Sequence, residues 1–362
     1  MYYPNIREIR IDPIVPSQSV LISTARGKRP RKDEPPPTRD IREFVESCPF
    51  CRGNEHLTPP VVFQVPAKGE WDIRVVENLY PILDDDPLPL GLPSGIQQVS
   101  EGYGHHEVII DHPNHGIALH QMSEQHLALI FAVYQDRMRF LYTTDPRIRY
   151  ILVFKNFGKA AGGSIPHTHS QLIAMPIVPH NVQDEVESSR LFYEKNETCV
   201  FCTLIDEALT LETTTYDRSS GKRKQSYDTG KYFVERGEYF IAIKPFASRY
   251  EWEVHILPLK HQSNFLDATT EELDDLAWVL RQTMARLEAV VGEVQYNYFL
   301  HTVPHVNNSS DFVDSFHWHI EICPRVSIPS GFELGSGLFV NTISPEEAAF
   351  KLRQAIEKSS TC

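Results

Sequence analysis

The sequence holds no apolar run near the roughly 20 residues that cross a bilayer as a helix, and its opening, MYYPNIREIRIDP, lacks the apolar core of a secretion signal. Positive charge is scarce as well. Only 35 Lys and Arg stand against 48 Asp and Glu, and a formal net charge of −13 is a poor start for neutralising a nucleic-acid backbone. No G-x-x-x-x-G-K-[ST] loop is present to hold a nucleotide with magnesium. These absences predict a cytoplasmic protein with no membrane and no nucleic-acid partner, in which any phosphate is met by a local site. The remaining composition, 41% hydrophobic and 23% charged over 362 residues, is that of a globular chain with material for two or three domains, or for one architecture used twice.

Cysteine and histidine carry most of the information. Four of the 6 cysteines form two C-x-x-C pairs, Cys48 with Cys51 and Cys199 with Cys202, in a chain with no secretion signal, where disulfides are disfavoured. Such a knuckle offers two thiolates to one tetrahedral metal, and zinc then takes two more ligands, commonly imidazoles. Two H-x-H pairs are at hand, His167 with His169 and His317 with His319. In an extended strand both members of such a pair share one face.

The spacing of these residues repeats along the chain. The knuckle cysteines recur 151 residues apart, the H-x-H histidines 150 apart, and His115 and His261 lie 146 apart. The offset of 146 also relates two apolar stripes. The first is Leu127, Ile130, Phe131, Tyr134, Met138 and Leu141; the second is Leu273, Leu276, Ala277, Leu280, Met284 and Leu287, and each has the period of one helix face. Ser123 can cap the first helix, and Thr269 with Glu272 makes a capping box for the second. Strands are expected before each helix, at 107–111 and 253–257, and β-rich runs after each, from Tyr150 and Tyr296. The drift from 146 to 150 places a four-residue insertion in the polar loop of Asn307, Asn308, Ser309 and Ser310. The stretch 213–231 shows no helical or strand period and reads as a surface insertion.

The predicted fold is therefore α+β, two fused repeats, each an antiparallel sheet with a packed amphipathic helix, dividing the chain into 1–185 and 186–362. Each repeat can build one metal site, Cys48, Cys51, His115 and His167 in the first and Cys199, Cys202, His261 and His317 in the second. Two thiolates and two imidazoles with no open position are the donor set of structural zinc.

Chemistry is expected where one repeat carries what the other lacks. Before His167 the first repeat reads Asn156-Phe157-Gly158-Lys159-Ala160-Ala161-Gly162-Gly163-Ser164. Its glycines permit close backbone approach, its amides can donate to phosphate oxygens, and Asn156, Ser164 and Gln171 add side-chain donors. The second repeat has no such loop, and Glu321 in place of Gln171 would repel phosphate. With His167 committed to metal, His169 remains as the nucleophile. A hydrogen bond from one ring nitrogen to a backbone carbonyl would leave the other nitrogen's lone pair for attack on phosphorus. The loop amides, Ser164 and Gln171 would then stabilise the developing phosphoryl charge.

These residues closely resemble the galactose-1-phosphate uridylyltransferase family, the nucleotidyl-transferring branch of the histidine-triad superfamily. The likeness runs nearly end to end, through Arg26-Gly27-Lys28-Arg29-Pro30, the Cys48 knuckle, Glu77-Asn78-Leu79-Tyr80-Pro81, His115, the H-x-H-x-Q segment, Pro258-Leu259-Lys260-His261, His317-Trp318-His319 and Gly331-Phe332-Glu333. The resemblance implies histidine-triad-like repeats and a ping-pong reaction. His169 would take a nucleoside monophosphate from a nucleotide sugar, release a hexose 1-phosphate, and pass the nucleotidyl group to a second sugar phosphate. It further implies Arg26 and Arg29 near the nucleotide phosphates, Asn78 in the nucleoside pocket, and Phe332 and Glu333 at the hexose. A homodimer with active sites drawn from both subunits is also implied. The second metal site varies within the family, and the Cys199 and Cys202 knuckle argues for keeping it here, with zinc or iron as its metal. The segments 77–81 and 331–337 are at least as similar to the family's plant-type members, which act on ADP-glucose. The leading expectation is thus a UDP-glucose–hexose-1-phosphate uridylyltransferase, and its alternative is an enzyme transferring adenylyl from ADP-glucose to phosphate. A catalytically silent, zinc-stabilised nucleotide-binding protein is the non-enzymatic alternative, against which the intact H-x-H-x-Q stands.

Overall fold

The computed structural model describes residues 6–28, 38–87, 95–210, 212–217, 222–227, 231–306 and 312–357. The chain opens with a hairpin, β1 (Arg7–Ile11) and β2 (Ser19–Ser23), and passes the first knuckle to β3 (Val61–Val65), β4 (Ile73–Glu77) and β5 (His105–Ile110). Helix α1 (Glu124–Thr144) then leads to β6 (Tyr150–Phe157) and β7 (His169–Met175). Two helices, α2 (His180–Asn196) and α3 (Val200–Thr210), carry the chain through the second knuckle to a hairpin of β8 (Glu212–Asp217) and β9 (Lys222–Tyr227). There follow β10 (Phe233–Arg236), β11 (Phe240–Ile243), β12 (Val254–Pro258), helix α4 (Thr270–Val291), β13 (Tyr296–His301) and β14 (His319–Pro324). A short helix α5 (Gly331–Ser336), β15 (Phe339–Asn341) and α6 (Pro345–Glu357) end the described chain.

The two apolar stripes become the buried faces of α1 and α4, all twelve residues lying in the main core. Local signals start both helices where the sequence places them. The Ser123 hydroxyl accepts the His126 amide, and Thr269 and Glu272 close a reciprocal capping box, a device that stabilises a helix by about 1 kcal/mol.

Ten strands form one antiparallel sheet in the order β10-β11-β12-β14-β13-β6-β7-β5-β4-β3. β6 and β13 are neighbours at its centre, with Tyr298 opposite Lys155. Outward from this seam the strands follow the same chain order on both sides. Strand alternation then sorts the side chains. Val75, Ile109, Val153, Leu172, Tyr298 and Ile320 join the core under α1 and α4, whereas Val76, Val108 and Ile110 turn the other way and pack on Cys48, Phe50 and Cys51. The knuckles therefore sit on the face opposite the two long helices.

The first strands belong spatially with the last ones. β2 pairs in parallel with β15, and Arg10 reaches Glu346 on α6 at 3.0 Å. The stretch 213–231 departs from the sequence expectation: β8 and β9 pair in register from Glu212 with Tyr227 to Asp217 with Lys222. Hairpin hydrogen bonding imposes strand geometry there without a regular apolar alternation to announce it. The insertion expected at 307–310 and the site residue Arg29 lie outside the described residues. No described helix is long and apolar enough to cross a membrane.

Candidate active site

The nucleophile candidate stands at the first residue of β7, beside β5 and β6. His169 is 7% exposed and its Nδ1 lies 2.8 Å from the His167 carbonyl oxygen. A carbonyl can only accept, so Nδ1 carries the proton and Nε2 keeps its lone pair. Burial lowers the His169 pKa, which holds the ring neutral. Phe50, from the knuckle, packs edge-on against the imidazole at 5.1 Å between ring centres.

Beneath β7, on the helix side, lies a buried polar network that sequence reasoning missed. Lys155 and Asp111 form an ion pair with 0% and 1% of their side chains exposed. The Lys155 ammonium also donates to Thr168 Oγ1 at 2.7 Å and to the carbonyl of His169 itself at 3.0 Å. Ser170 donates to the other Asp111 oxygen at 2.9 Å, and the hydroxyls of Tyr134 and Tyr298 connect Ser170 to α1 and β13. Burial lowers the pKa of Lys155, and the Asp111 carboxylate opposes that shift.

The expected donors fall into two groups. His106 of β5, also unforeseen, links Asn78 to Gln171: its Nε2 is 2.9 Å from Gln171 Oε1 and 3.1 Å from Asn78 Nδ2. Asn156, near the end of β6, opens the Gly-rich loop. There Gly158 has φ +85°, and a Cβ on Gly163 would come within 2.7 Å of the Asn156 carbonyl oxygen, so the tight course of this loop requires glycine at both positions. Ser164 leaves the loop beside a cavity of about 490 Å³ that Lys159, Arg39, Asp40, Glu293 and Gln295 also line. The remaining expected residues are elsewhere. Arg26 and Glu333 line a separate cavity with Arg249, Tyr250 and Glu251, and Phe332 next to Glu333 is half exposed.

The eight cysteines and histidines expected to bind metal gather as two tetrads. Within each, one ligand atom per residue lies within 4.8 Å of the others. In the first, Cys48 Sγ and His167 Nδ1 are 3.7 Å apart, Cys51 Sγ and His167 Nδ1 3.6 Å, and Cys51 Sγ and His115 Nδ1 3.5 Å. In the second, Cys202 Sγ lies 3.4 Å from His261 Nδ1 and 3.7 Å from His317 Nδ1. The other ring nitrogens of the two H-x-H members are held by main-chain oxygens, His167 Nε2 at 2.7 Å from His112 O and His317 Nε2 at 2.9 Å from Pro258 O. This fixes Nδ1 as the lone-pair nitrogen in both. All five described cysteines are free thiols.

On the other side of the seam, the position that Gln171 holds is taken by a closed charge network. Glu321 contacts Arg249, and His255 Nε2 lies 3.1 Å from Glu253 and 3.7 Å from Glu321. Burial would raise the Glu321 pKa, but Arg249 and His255 outweigh it and hold the carboxylate well below its usual range. His301 pairs with Glu185 of α2 at 2.9 Å. His319 repeats the His169 arrangement, Nδ1 at 3.0 Å from the His317 carbonyl, yet its Nε2 faces Glu321 at 3.6 Å. A permanent carboxylate where phosphate would sit makes this side unsuited to the same chemistry.

Residues 5–179 match the family described as galactose-1-phosphate uridyl transferase, N-terminal domain. The ADP-glucose phosphorylase of Arabidopsis thaliana is 30% identical over 96% of this chain and 92% of its own, and the galactose-1-phosphate uridylyltransferase of Thermotoga maritima is 29% identical over 96% and 98%. The crystal structure of the Arabidopsis enzyme with bound ADP-glucose superposes with a TM-score of 0.79, at 29% identity over 96% of this chain and 99% of that one. End-to-end likeness of sequence and fold, on top of the H-x-H-x-Q strand and its glycine loop, establishes that the chain belongs to the galactose-1-phosphate uridylyltransferase family.

Proposed function

We propose that this protein is a nucleotidyltransferase that moves a nucleoside monophosphate from a nucleotide sugar through a covalent nucleotidyl-His169. The observation that carries the reading is the tie between His169 Nδ1 and the His167 carbonyl, which leaves the Nε2 lone pair unused on the sheet face that strand alternation and the β6–β7 register give to Gln171 and Asn156 as well. Nε2 attacks the α-phosphorus, a P–N bond forms, the bridging P–O bond breaks, and the sugar leaves as hexose 1-phosphate. In the second half-reaction a phosphate oxygen of the acceptor attacks, and the P–N bond breaks. A hexose 1-phosphate as acceptor with UDP-glucose as donor gives uridylyl exchange. The second reading, adenylyl transfer from ADP-glucose to phosphate, is favoured by the likeness to the Arabidopsis enzyme.

Incubation with UDP-glucose or ADP-glucose, each labelled in the α-phosphate, distinguishes them. Acid-labile label on the protein is expected from one donor and weak or absent label from the other. No trapping from either donor overturns the covalent mechanism.

The same reading divides the chain into two histidine-triad-like repeats near 180–195, with the first strands docked on the second repeat. Arg26 and Glu333, with Phe332 next to Glu333, belong to a cavity that His169 does not line. A homodimer that brings them to the partner's His169 would complete the site.

Both tetrads fit zinc. Ligand distances of about 2.3 Å for sulfur and 2.0–2.1 Å for nitrogen at a tetrahedral angle require a sulfur–nitrogen separation of about 3.6 Å, and the observed values are 3.4–3.7 Å. Burial pushes the Cys48 thiol up to about 11 and drops His167 to about 4, so the imidazole is ready to ligate while the thiol needs a cation to ionise. Zinc held by Cys48, Cys51, His115 and His167 would brace the knuckle that carries Phe50 and the approach to His169, and iron is the alternative at the second tetrad. Such thiolate sites suit a reducing compartment such as the cytoplasm. Elemental analysis is expected to find close to two metal ions per chain, and prolonged chelation to lower the unfolding temperature together with labelling. A metal-free preparation with unchanged stability and activity would exclude this role.

A further inference from the structure

We infer that Asn297, on the far side of the central seam, fixes which end of the Asn156 amide is presented to the nucleotide phosphates, and that Arg325 fixes Asn297. The inference rests on the nucleotidyltransferase reading and adds two positioning residues to it.

The polarity of this chain of groups is set by its two ends. Arg325 Nε can only donate, and it contacts the side-chain oxygen of Asn297. Asn297 Nδ2 must then face the other way. It lies 2.8 Å from the Ala161 carbonyl, which can only accept, and 2.7 Å from Asn156 Oδ1. Both Nδ2 hydrogens are therefore used, and the Asn156 oxygen is consumed. The Asn156 Nδ2 is left as the free end, a double donor, as an anionic ligand requires.

Asn297 is itself held firmly. It is 9% exposed, and the Arg325 guanidinium that anchors it lies 4.3 Å over the Tyr250 ring. The Arg325 amide bonds to the Gln295 carbonyl at 2.7 Å, and Gln295 Oε1 accepts the Ala160 amide at 2.6 Å. The start of β13 thus grips two consecutive residues of the Gly-rich loop, Ala160 and Ala161, as well as the Asn156 side chain. The side of the sheet that lacks the chemistry supplies the polarity of the phosphate site on the other.

Asn297→Asp tests this with almost no change of shape. The carboxylate keeps Arg325 but turns an acceptor toward Asn156, whose amide must rotate to donate inward and offer its oxygen to phosphate. The single-turnover rate of label transfer to His169 is expected to fall on the order of 100-fold, the effect of losing one preorganised oxyanion donor. Asn297→Ala, which frees the Asn156 amide without reversing it, should fall less. In an Asn156→Ala background neither change should slow transfer further, since there is no amide left to orient. Folding and metal content are expected to match those of the parent in all five variants, and if the aspartate variant fails to fold the alanine variant decides.

If the parent protein takes label and the losses multiply in the Asn156→Ala background, or if Asn297 variants label at the parental rate, the positioning role is wrong and the nucleotidyltransferase reading stands. If the parent takes no label from either donor, both fall together.

Discussion

Replacing His169 with alanine is expected to abolish nucleotidyl labelling and lower turnover by on the order of 10⁴-fold or more, as loss of a covalent nucleophile does elsewhere. The fold should survive the change. Among the described residues the imidazole makes one hydrogen bond, to the carbonyl two residues away, and one edge contact, with Phe50. Its removal leaves no buried charge behind and no ligand missing from a tetrad. Thermal unfolding and metal content are therefore expected to stay close to those of the parent while labelling vanishes. The matching change on the other side of the seam, His319→Ala, should leave labelling in place, because that imidazole faces Glu321 and not a phosphate site. Retention of acid-labile label in the His169 variant, or its loss only in the His319 variant, would show that the nucleophile has been assigned to the wrong histidine.

Much of this site was legible because it depends on local periodicity and on residue types with few uses. Helix stripes, caps and the first residues of β6 and β13 follow from patterns within one segment, and Cys and His in repeated spacing point to tetrads that the fold then assembles. The unforeseen residues share a different property: each acts through a partner more than 25 positions away. Lys155 meets Asp111, His106 meets Gln171, Asn297 meets Asn156, and His301 meets Glu185. A trace was nevertheless present. Lys155 interrupts Val153-Phe154 inside a strand whose odd-numbered residues are core, and Asp111 ends the apolar run of β5. A charge at a position that must be buried requires a partner of opposite sign. The order of strands was needed to say which one. The hairpin β8–β9 was missed for the complementary reason, since cross-strand pairing can hold polar residues extended without any apolar alternation.

The alternation of side chains also explains why so little sequence separates support from chemistry. His169 faces Phe50 of the knuckle and Gln171 faces His106, while Ser170 between them faces Tyr134 and Asp111 on the other side. One strand thus presents the proposed nucleophile and phosphate donor on one side and is anchored by hydrogen bonds on the other.

That anchor is the second place where a large effect is expected. Lys155→Met or Asp111→Asn removes one member of a fully buried ion pair and leaves its partner without compensation, a change that costs about 3–5 kcal/mol in comparable interiors. Urea unfolding should show this loss for each single variant. The double variant should lose clearly less than the sum, because no charge is then stranded. Activity should fall in the single variants even at temperatures where they remain folded. Lys155 also holds the carbonyl of His169 and the hydroxyl of Thr168, so the first residue of β7 loses its fixed position with the ammonium. Lys155→Met should therefore slow labelling more than Asp111→Asn does, since only the former removes the contact to His169. Single variants within about 0.5 kcal/mol of the parent, the range of ordinary surface substitutions, would mean that the pair is dispensable. Equal labelling rates in the two would mean that it does not position the nucleophile.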